Sequence, residues 1–324
     1  METTPPRIGE RPLALVAMGG HAFIRPGERG TIGDQERNAE LICNELMVLV
    51  RRDYNLIITH GNGPQVGELM LRNELAGADL PPRPLDVLVA DTEGSLGYIL
   101  QQALLNHIRK EDIHRYVVTV VTQVLVDRQD PAFENPTKPV GPFLSREDAE
   151  RRREELGWNI VEDSGRGWRR VVPSPKPTKV VQHRMIRDTA RQGHIVIACG
   201  GGGIPIMRTE DDRYEGVEAV VDKDLTAAIL AKQVEADLLV VLTAVDQVYL
   251  SYGKPDQRPL SALTIGQVEK FIGEGHFPPG SMGPKMEAML WFLRAGGRRG
   301  LITCPELLSD GLNGRAGTHF VGRC

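Results

Sequence analysis

LALVAMGGHA, residues 13–22, is an apolar run that ends in two glycines. Short uninterrupted apolar runs are typical of strands buried on both faces of a sheet. A helical pattern follows at Asp34–Arg51, where apolar residues recur on one face. The same construction appears again at Leu56–Thr59, which leads into the glycine turn His60-Gly61-Asn62-Gly63-Pro64. A strand, a glycine turn and a helix in repeated order predict a parallel sheet covered by helices.

Further segments continue this alternation. Pro64 suits the first position of a helix, because no backbone N–H is needed there. The periodicity predicts helices at Gln65–Ala76, Asp86–Arg109 and Asp224–Gln233, and strands at Tyr116–Val126, His194–Ala198 and Leu238–Thr243. We therefore expect a three-layer α/β/α sandwich with a mostly parallel central sheet, formed by residues 13–324 behind an irregular tail at 1–12.

One stretch, Asp127–Thr178, interrupts the alternation. It contains seven prolines and a charged helical pattern around Ser145–Leu156. Its end, Pro173-Ser174-Pro175-Lys176-Pro177, is incompatible with a helix or a central strand, because proline lacks the donor that both need. We interpret residues 127–178 as a small inserted subdomain, or lid, that protrudes from the sheet.

Composition excludes several classes of protein. The net charge of −4 argues against a general nucleic-acid surface. No apolar stretch reaches the ~18–20 residues of a membrane span, and nothing near the start resembles an export signal, so we expect a cytoplasmic protein without a membrane partner.

The four cysteines form no CxxC pair, which favours free thiols over a zinc site or a disulfide framework. Cys199 is expected to be a small buried strand residue rather than a reactive nucleophile.

The glycine turns indicate an anion site. Glycine lets backbone N–H groups approach an anion closely, and a helix N-terminus adds unpaired donors and a favourable dipole. Two such turns, with a third glycine run at Gly200–Gly203, favour phosphate binding at one edge of the sheet. The sequence has no GxxxxGK[ST] motif and no GxGxxG after a strand, so a P-loop enzyme is excluded and a dinucleotide oxidoreductase is disfavoured.

Asp222-Lys223-Asp224 lies between the strand-like Ala219–Val221 and the predicted helix. Asp224 has two interpretations, as the N-cap of that helix or as the carboxylate that orients a phosphoryl-binding lysine. Lysines of this kind suit phosphoryl transfer, because its catalysis is mostly positioning and charge stabilisation.

Two other lysines stand in distinctive surroundings. Lys285 ends the loop that precedes an apolar helix at Met286–Leu293, and it either closes over nucleotide phosphates or lies on a solvated surface loop. Lys138 has proline close on both sides, which suits a group presented from a lid.

Together these residues resemble the carbamate kinases, a branch of the amino-acid kinase family. The stretches that carry the resemblance are 17–22, 60–67, 135–143, 165–169, 171–177, 199–205, 216–224, 242–246, 276–277 and 279–285. The resemblance implies an α/β/α domain with a protruding subdomain, usually dimeric. It also implies phosphoryl transfer between carbamoyl phosphate and ADP, which gives ATP and carbamate, with Mg²⁺ carried by the nucleotide rather than by protein side chains.

The resemblance also implies roles for individual positions. Lys138, Lys223 and Lys285 are expected around the transferring phosphoryl group, with Asp224 as their organiser. The expected phosphate and substrate cradle is Gly19, Gly20, His21, Gly61, Asn62, Gly63, Gly201 and Gly202. The expected nucleotide site is Thr243, Asp246, Tyr249, Met282 and Lys285.

His21 departs from the family, which normally has asparagine after the two glycines. Imidazole donates a hydrogen bond as an amide does, but it also becomes charged near pH 6.5. Three interpretations stay open: a conservative replacement, a pocket suited to a different small acid, or an impaired site. A nucleotide sensor without catalysis is a further hypothesis, against which Lys223, Asp224 and Lys285 argue.

Overall fold

A computed structural model describes residues 11–19, 22–25, 27–77, 79–162 and 167–322 of the chain. Gly20, His21 and Cys324 lie outside the described residues, and so does the predicted tail at 1–12 except for its last two positions.

The described residues form alternating helices and strands. The helices are α1 (Ile32–Arg51), α2 (Gly63–Ala76), α3 (Leu85–Lys110), α4 (Arg146–Leu156), α5 (His183–Arg191), α6 (Lys223–Gln233), α7 (Ile265–Gly273), α8 (Met282–Arg294) and α9 (Leu308–Leu312). The first strands are β1 (Leu13–Met18), β2 (Asn55–His60), β3 (Val117–Val120), β4 (Gln123–Val126), β5 (Lys138–Leu144), β6 (Ile160–Glu162), β7 (Trp168–Val172) and β8 (Pro177–Val180). The later strands are β9 (Ile195–Ala198), β10 (Ile204–Arg208), β11 (Tyr214–Gly216), β12 (Leu238–Leu242), β13 (Val248–Leu250), β14 (Arg258–Leu260), β15 (Ala262–Thr264), β16 (Arg299–Thr303) and β17 (Thr318–Val321).

The central sheet has eight strands in the order β15-β17-β16-β12-β1-β2-β9-β3. Every neighbouring pair is parallel except β16 and β17. Side chains of β1 alternate between two cores: Leu15 packs in the core that includes α6 and α8, and Val16 packs in the core that includes α1 and α3. The sheet is therefore covered on both faces, and the predicted three-layer α/β/α sandwich is confirmed.

Local sequence accounts for how the first elements begin and end. Thr31 caps α1 by accepting from the Asp34 N–H, and the Asp34 carboxylate accepts from the Thr31 N–H in return. This reciprocal pair satisfies two donors that the helix itself cannot. The strands predicted at Leu13–Met18 and Leu56–Thr59 are confirmed as β1 and β2.

The single strand predicted at Tyr116–Val126 is wrong. The chain leaves the central sheet after β3 and enters a second sheet, ordered β11-β10-β4-β8, at β4. Thr122 causes the break, because its N–H donates to the Glu93 carboxylate (2.7 Å) instead of continuing the ladder. Its hydroxyl also turns back to donate to the Val120 carbonyl.

Several predicted boundaries also need correction. Ala219–Val221 is buried but is not a strand. Pro64 occupies the second position of α2, after Gly63, rather than the first. Helix α8 begins at Met282, so Lys285 lies within its first turn and not in the loop before it. Cys199 follows β9 in the left-handed conformation (φ 55°) and is buried, but it is not part of the strand.

Residues within 127–178 form a third sheet, ordered β5-β7-β6, together with α4. This unit rests on α2 at Gly67, where an added Cβ would lie 2.9 Å from the Gly141 Cα. The two backbones therefore touch without side chains between them. Arg152 of α4 also pairs with Glu74 of α2 (2.7 Å).

Among the described residues, no helix has both the length and the apolar character that crossing a bilayer would require.

Candidate active site

A cleft of about 1420 Å³ opens where β1, β2, β9 and β12 end. Parallel strands present their carboxyl ends at one edge of a sheet, which is the usual place for a ligand crevice. The turns are tied to neighbouring strands: the Gly19 N–H donates to the Leu242 carbonyl, and the Gly61 N–H donates to the Met18 carbonyl, both at 3.2 Å. Gly19 and Gly61 line the cleft as a result.

The third glycine run forms a tight turn, Cys199–Gly203, that we call the glycine turn. Gly201, Gly202 and Gly203 have φ values of 67°, 100° and 86°, in the left-handed region that favours glycine. A Cβ on Gly201 would overlap the Asn62 side chain. The Asn62 amide is held from behind, because it donates to the Thr92 hydroxyl at 2.8 Å. Gly201 and Asn62 thus line one wall together.

Asp224 joins two lysines at the floor of the cleft. Its Oδ1 accepts from Lys223 Nζ at 2.5 Å, and its Oδ2 accepts from Lys285 Nζ at 3.0 Å. The Asp224 side chain is only 4% exposed, and both lysine side chains are 13% exposed. The structure therefore brings together side chains of α6 and α8 that lie up to 62 positions apart in the sequence, and Asp224 contacts both lysines.

Asp222, rather than Asp224, is the N-cap of α6. Its Oδ1 accepts from the Asp224 N–H at 2.9 Å and from the Leu225 N–H at 3.4 Å. Its other oxygen, Oδ2, accepts from Lys138 Nζ at 2.8 Å. The N-cap interpretation of Asp224 is wrong, since Asp222, two residues earlier, has the extended backbone that a cap needs.

Burial and neighbouring charges shift the pKa values of several groups in and near the floor of the cleft. Burial opposes ionisation of Asp224, but Lys223 and Lys285 outweigh it and lower the pKa of Asp224 to about 2. Burial, together with the like charge of Lys285, lowers the pKa of Lys223. His60, at the end of β2, is fully buried, which lowers its pKa to about 4 and leaves the imidazole neutral at neutral pH. The floor of the cleft therefore carries fixed charge, and a neutral imidazole lies behind the glycine turn.

The other end of the cleft is apolar and aromatic. Tyr249 and Tyr252 lie with ring centroids 5.9 Å apart, and both line the cleft with Thr243 and Met282. The Tyr249 hydroxyl donates to Asp246 at 2.8 Å. Asp246 itself does not line the cleft and acts by holding Tyr249. A concave surface of this composition suits a planar, partly apolar ligand.

Comparison with known proteins agrees with this geometry. The model of the amino acid kinase family matches residues 12–304. A carbamate kinase of Thermococcus kodakarensis is 44% identical over 95% of this chain and 98% of its own length. The chain belongs to the amino acid kinase family, in its carbamate kinase branch.

Two further relatives of this carbamate kinase family member are informative. The carbamate kinase-like protein YahI of Escherichia coli is 44% identical over 95% of this chain and 98% of its own length. The structure of a Giardia lamblia carbamate kinase bound to AMP-PNP superimposes with a TM-score of 0.91, at 38% identity over 97% of this chain and 100% of that one.

Most site residues predicted from the sequence do meet in this family member. Those that line the cleft are Gly19, Gly61, Asn62, Gly63, Lys138, Gly201, Lys223, Asp224, Thr243, Tyr249, Met282 and Lys285. Gly202 does not line it and instead packs so closely against the Val221 carbonyl that no Cβ would fit. The predicted cradle residues Gly20 and His21 lie outside the described residues.

Sequence reasoning missed two groups of this site. Asp222 was recognised only as part of an acidic pair, and the triplet Asp222-Lys223-Asp224 was the available signal for its role with Lys138. Arg169 also lines the cleft; it donates to the Gly141 carbonyl at 3.0 Å and lies 5.2 Å from the Phe143 ring centroid. Arg169 belongs to the stretch 165–169 that carries the resemblance, which was the available signal, but no role was assigned to it from the sequence.

Metal-binding residues do not cluster in this cleft. Within the part of the chain that the structure describes, no group of three or more His, Cys, Asp or Glu side chains is placed to hold a metal ion. The two carboxylates of the floor, Asp222 and Asp224, are occupied by lysines. This donor set fits a metal ion that arrives on a nucleotide and is held by its phosphates.

The depressed pKa of Asp224 predicts an acid-sensitive contribution to stability. A carboxyl whose pKa is near 2 in the folded chain and about 3.8 when unfolded stabilises the fold above pH 4, and this contribution is lost as the pH falls toward 2. We expect Asp224→Asn to be less stable than wild type at pH 7, and the gap to narrow by about 2 kcal/mol near pH 2. Urea denaturation of both proteins across this range measures the gap. A gap that stays constant with pH would contradict the ion-pair geometry.

Proposed function

We propose that the protein transfers a phosphoryl group between carbamoyl phosphate and ADP, which yields carbamate and ATP. The observation that carries this proposal is Asp224, which holds Lys223 and Lys285 together at the floor of the cleft. Relatives named as carbamate kinases, 44% identical over nearly the full chain, support the choice of substrate. We further propose that the reaction runs in the ATP-forming direction. The enzyme would then act in the cytoplasm in catabolism, including the breakdown of arginine.

The lysines can neutralise the charge of the transferring group. An ammonium has three donors. Among the described residues, Lys223 uses one donor on Asp224, and Lys285 uses two, on Asp224 and on the Ser281 carbonyl. The donors that are left can bind phosphoryl oxygens without breaking the ion pairs. Such fixed donors stabilise the charge that is spread over the transferring group in the transition state.

The backbone supplies further donors. Helix α2 begins at Gly63, and its first residues line the cleft. Helix α6 is different, because Asp222 already accepts from its Asp224 and Leu225 N–H groups. A helix N-terminus carries unpaired N–H groups and the positive end of the helix dipole. The N–H groups of Gly19 and Gly61 donate to Leu242 and Met18, so the cradle role that we assign to glycine at positions 19, 61 and 63 is to let an anion approach the start of α2 without a Cβ in the way.

The reaction needs no covalent nucleophile and no general base. A carboxyl-type oxygen is already anionic, so in-line transfer between two oxygens requires positioning and charge neutralisation, not proton removal. Burial raises the pKa of the Cys199 thiol well above its usual range, so this cysteine remains a thiol and is no candidate nucleophile.

The aromatic end of the cleft is the proposed nucleotide site, with Thr243, Tyr249 and Met282 around the nucleoside. Asp246 belongs to this site indirectly, through its hydrogen bond to Tyr249. A Mg²⁺ ion bound to the nucleotide phosphates would offset their charge when present. The Giardia lamblia relative bound to AMP-PNP supports a nucleotide at this site.

We also propose that residues 127–178 act as a lid that carries Lys138 to the cleft. Lys138 lies at the start of β5, in the third sheet, and it reaches the main body through its ion pair with Asp222. The phosphoryl group would then meet lysines from two parts of the chain.

Removal of Lys223 tests the proposed chemistry. We expect Lys223→Ala to lower kcat for ATP formation from carbamoyl phosphate and ADP by roughly 10²–10³-fold, the usual effect of deleting one positioned donor. The matched control is Lys176→Ala, because Lys176 forms an ion pair with Glu287 (2.8 Å) outside the lysine cluster. A coupled ATP-formation assay measures both variants. Unchanged activity in Lys223→Ala would refute the role of this lysine.

His21 leaves an alternative function open, a kinase of the same fold that acts on a different small acid. We expect His21→Asn to keep or raise activity with carbamoyl phosphate, because the amide restores the family's usual donor at that position. The same assay with a panel of small acids separates the two hypotheses. Turnover of another acid by wild type, with none of carbamoyl phosphate, would establish the alternative.

A homodimer is the proposed assembly, as the resemblance implies. Strand β3 ends the central sheet, and its surroundings expose the apolar side chains of Tyr98 (61%), Tyr116 (72%) and Val121 (53%). A cluster of this kind is typical of a protein interface. We expect a mass of about twice 35.7 kDa by light scattering, and a shift toward the single-chain mass in Tyr98→Glu. A monomeric wild type would contradict the assembly.

A further inference from the structure

Glu93 is a buried acid that the proposed chemistry does not use. It lies within α3 and is 2% exposed. None of the ion pairs formed by the described residues involves it, and its Oε1 has no partner with ordinary hydrogen-bond geometry, although the Gly200 backbone lies close by. A buried carboxyl group without a cation is costly to ionise. Its position therefore needs an explanation.

Hydrogen bonds connect Glu93 to the glycine turn. Its Oε2 accepts from the Thr122 N–H at 2.7 Å. The Thr122 hydroxyl accepts in turn from the Cys199 N–H at 3.1 Å, and the Cys199 carbonyl accepts from the Thr59 hydroxyl at 2.8 Å. Cys199 has a left-handed backbone (φ 55°), which is unfavourable for a side chain with a Cβ. The polar contacts on both sides hold the first residue of the turn in this conformation.

Glu93 also contacts the turn directly. A Cβ added to Gly200 would lie 2.6 Å from the His60 ring and 3.2 Å from the Glu93 Cγ. The back of the turn is therefore packed between these two side chains. The next residue, Gly201, lines the cleft and lies against Asn62. A displacement of Gly200 would move the cleft wall that faces the phosphoryl group.

Burial, rather than a neighbouring charge, dominates the surroundings of Glu93. Burial raises the pKa of Glu93 well above its usual range. The titratable groups that face it are His60 from β2, whose pKa is lowered to about 4 by burial, and Cys199 from the turn, whose pKa is raised by burial. Lys223 of α6 acts on His60 and is paired with Asp224. An ionised Glu93 would place an unpaired negative charge behind a turn that receives an anion in front.

We propose that Glu93 is a positioning residue that acts uncharged: it fixes the glycine turn against the cleft, and its ionisation as the pH rises weakens use of the phosphoryl donor. The inference rests on the proposed function, since the turn is assigned to the phosphoryl site. Glu93 does not touch the reacting atoms, and it acts through Thr122, Cys199 and Gly200.

Two substitutions separate charge from shape at this position. Glu93→Gln keeps the size and the acceptor for the Thr122 N–H, and we expect kcat/KM for carbamoyl phosphate within about twofold of wild type at pH 7. Glu93→Ala leaves that N–H unpaired and opens a cavity behind Gly200, and we expect kcat/KM to fall about 5- to 100-fold. Asp91→Asn is the matched control, because Asp91 lies on the same helix and pairs with Arg83 (2.6 Å).

The pH dependence tests the uncharged state. Wild type should lose kcat/KM as the pH rises from 7 to 9.5 more steeply than Glu93→Gln, because the two proteins differ in one titratable group only, the Glu93 carboxyl. A separate readout needs no turnover. Above about pH 4.3 the unfolded chain ionises Glu93 while the folded chain keeps its proton, so rising pH favours unfolding of wild type. The Tm of Glu93→Gln minus the Tm of wild type should therefore increase between pH 5 and 8. The same difference for Asp91→Asn should not increase.

Three results would overturn the proposal: a Glu93→Gln variant as impaired as Glu93→Ala, an unaffected Glu93→Ala, or a Tm difference between Glu93→Gln and wild type that does not change with pH. The Tm measurement also distinguishes this inference from the proposed function. If wild type forms no ATP from carbamoyl phosphate and the Tm gain still appears, the function is wrong and the uncharged state of Glu93 is supported. If ATP forms and the Tm gain is absent, the inference about Glu93 is wrong.

Discussion

The Asp224 carboxylate is the interaction on which the rest of the site depends. Two ammonium groups that are mostly withdrawn from water would repel each other without a shared counter-ion. Asp224 supplies it with one oxygen for each lysine. Because Lys223 belongs to α6 and Lys285 to α8, the same carboxylate also fixes how the starts of these two helices face each other. A buried ion cluster adds little stability over apolar residues of similar volume, although removing one of its members is costly, so its value here lies in holding charge ready for an anion.

The parallel sheet supplies the second constraint. Because β1, β2, β9 and β12 run in the same direction, their following turns meet at one edge. The Cys199–Gly203 turn needs glycine for geometric reasons, because the side chains of His60 and Asn62 fill the space that a Cβ on Gly200 or Gly201 would take. The proposed anion site and the fold therefore draw on the same residues.

The sequence allowed good prediction where the signal is local. Apolar runs located β1, β2 and β12, and the glycine turns located the cleft, since both depend on neighbouring residues. The break between β3 and β4 was not predictable, because it is caused by Glu93, 29 residues away from Thr122. The ion pair of Lys138 with Asp222 spans 84 positions and has no local signature. Family resemblance located Lys138, but only the fold shows which carboxylate receives it.

Asp222 serves two parts of the molecule at once, with Oδ1 on the first N–H groups of α6 and Oδ2 on Lys138. Natural variation at this position is consequently restricted by two independent requirements. Asn, Ser and Thr are ordinary replacements for an aspartate that only caps a helix, yet none of them carries the negative charge that an ammonium group requires. Glutamate keeps the charge but is a poor cap. Each of these substitutions at position 222 would therefore lose either the cap of α6 or the ion pair with Lys138. This restriction applies although Asp222 does not contact Lys223 or Lys285 through its side chain.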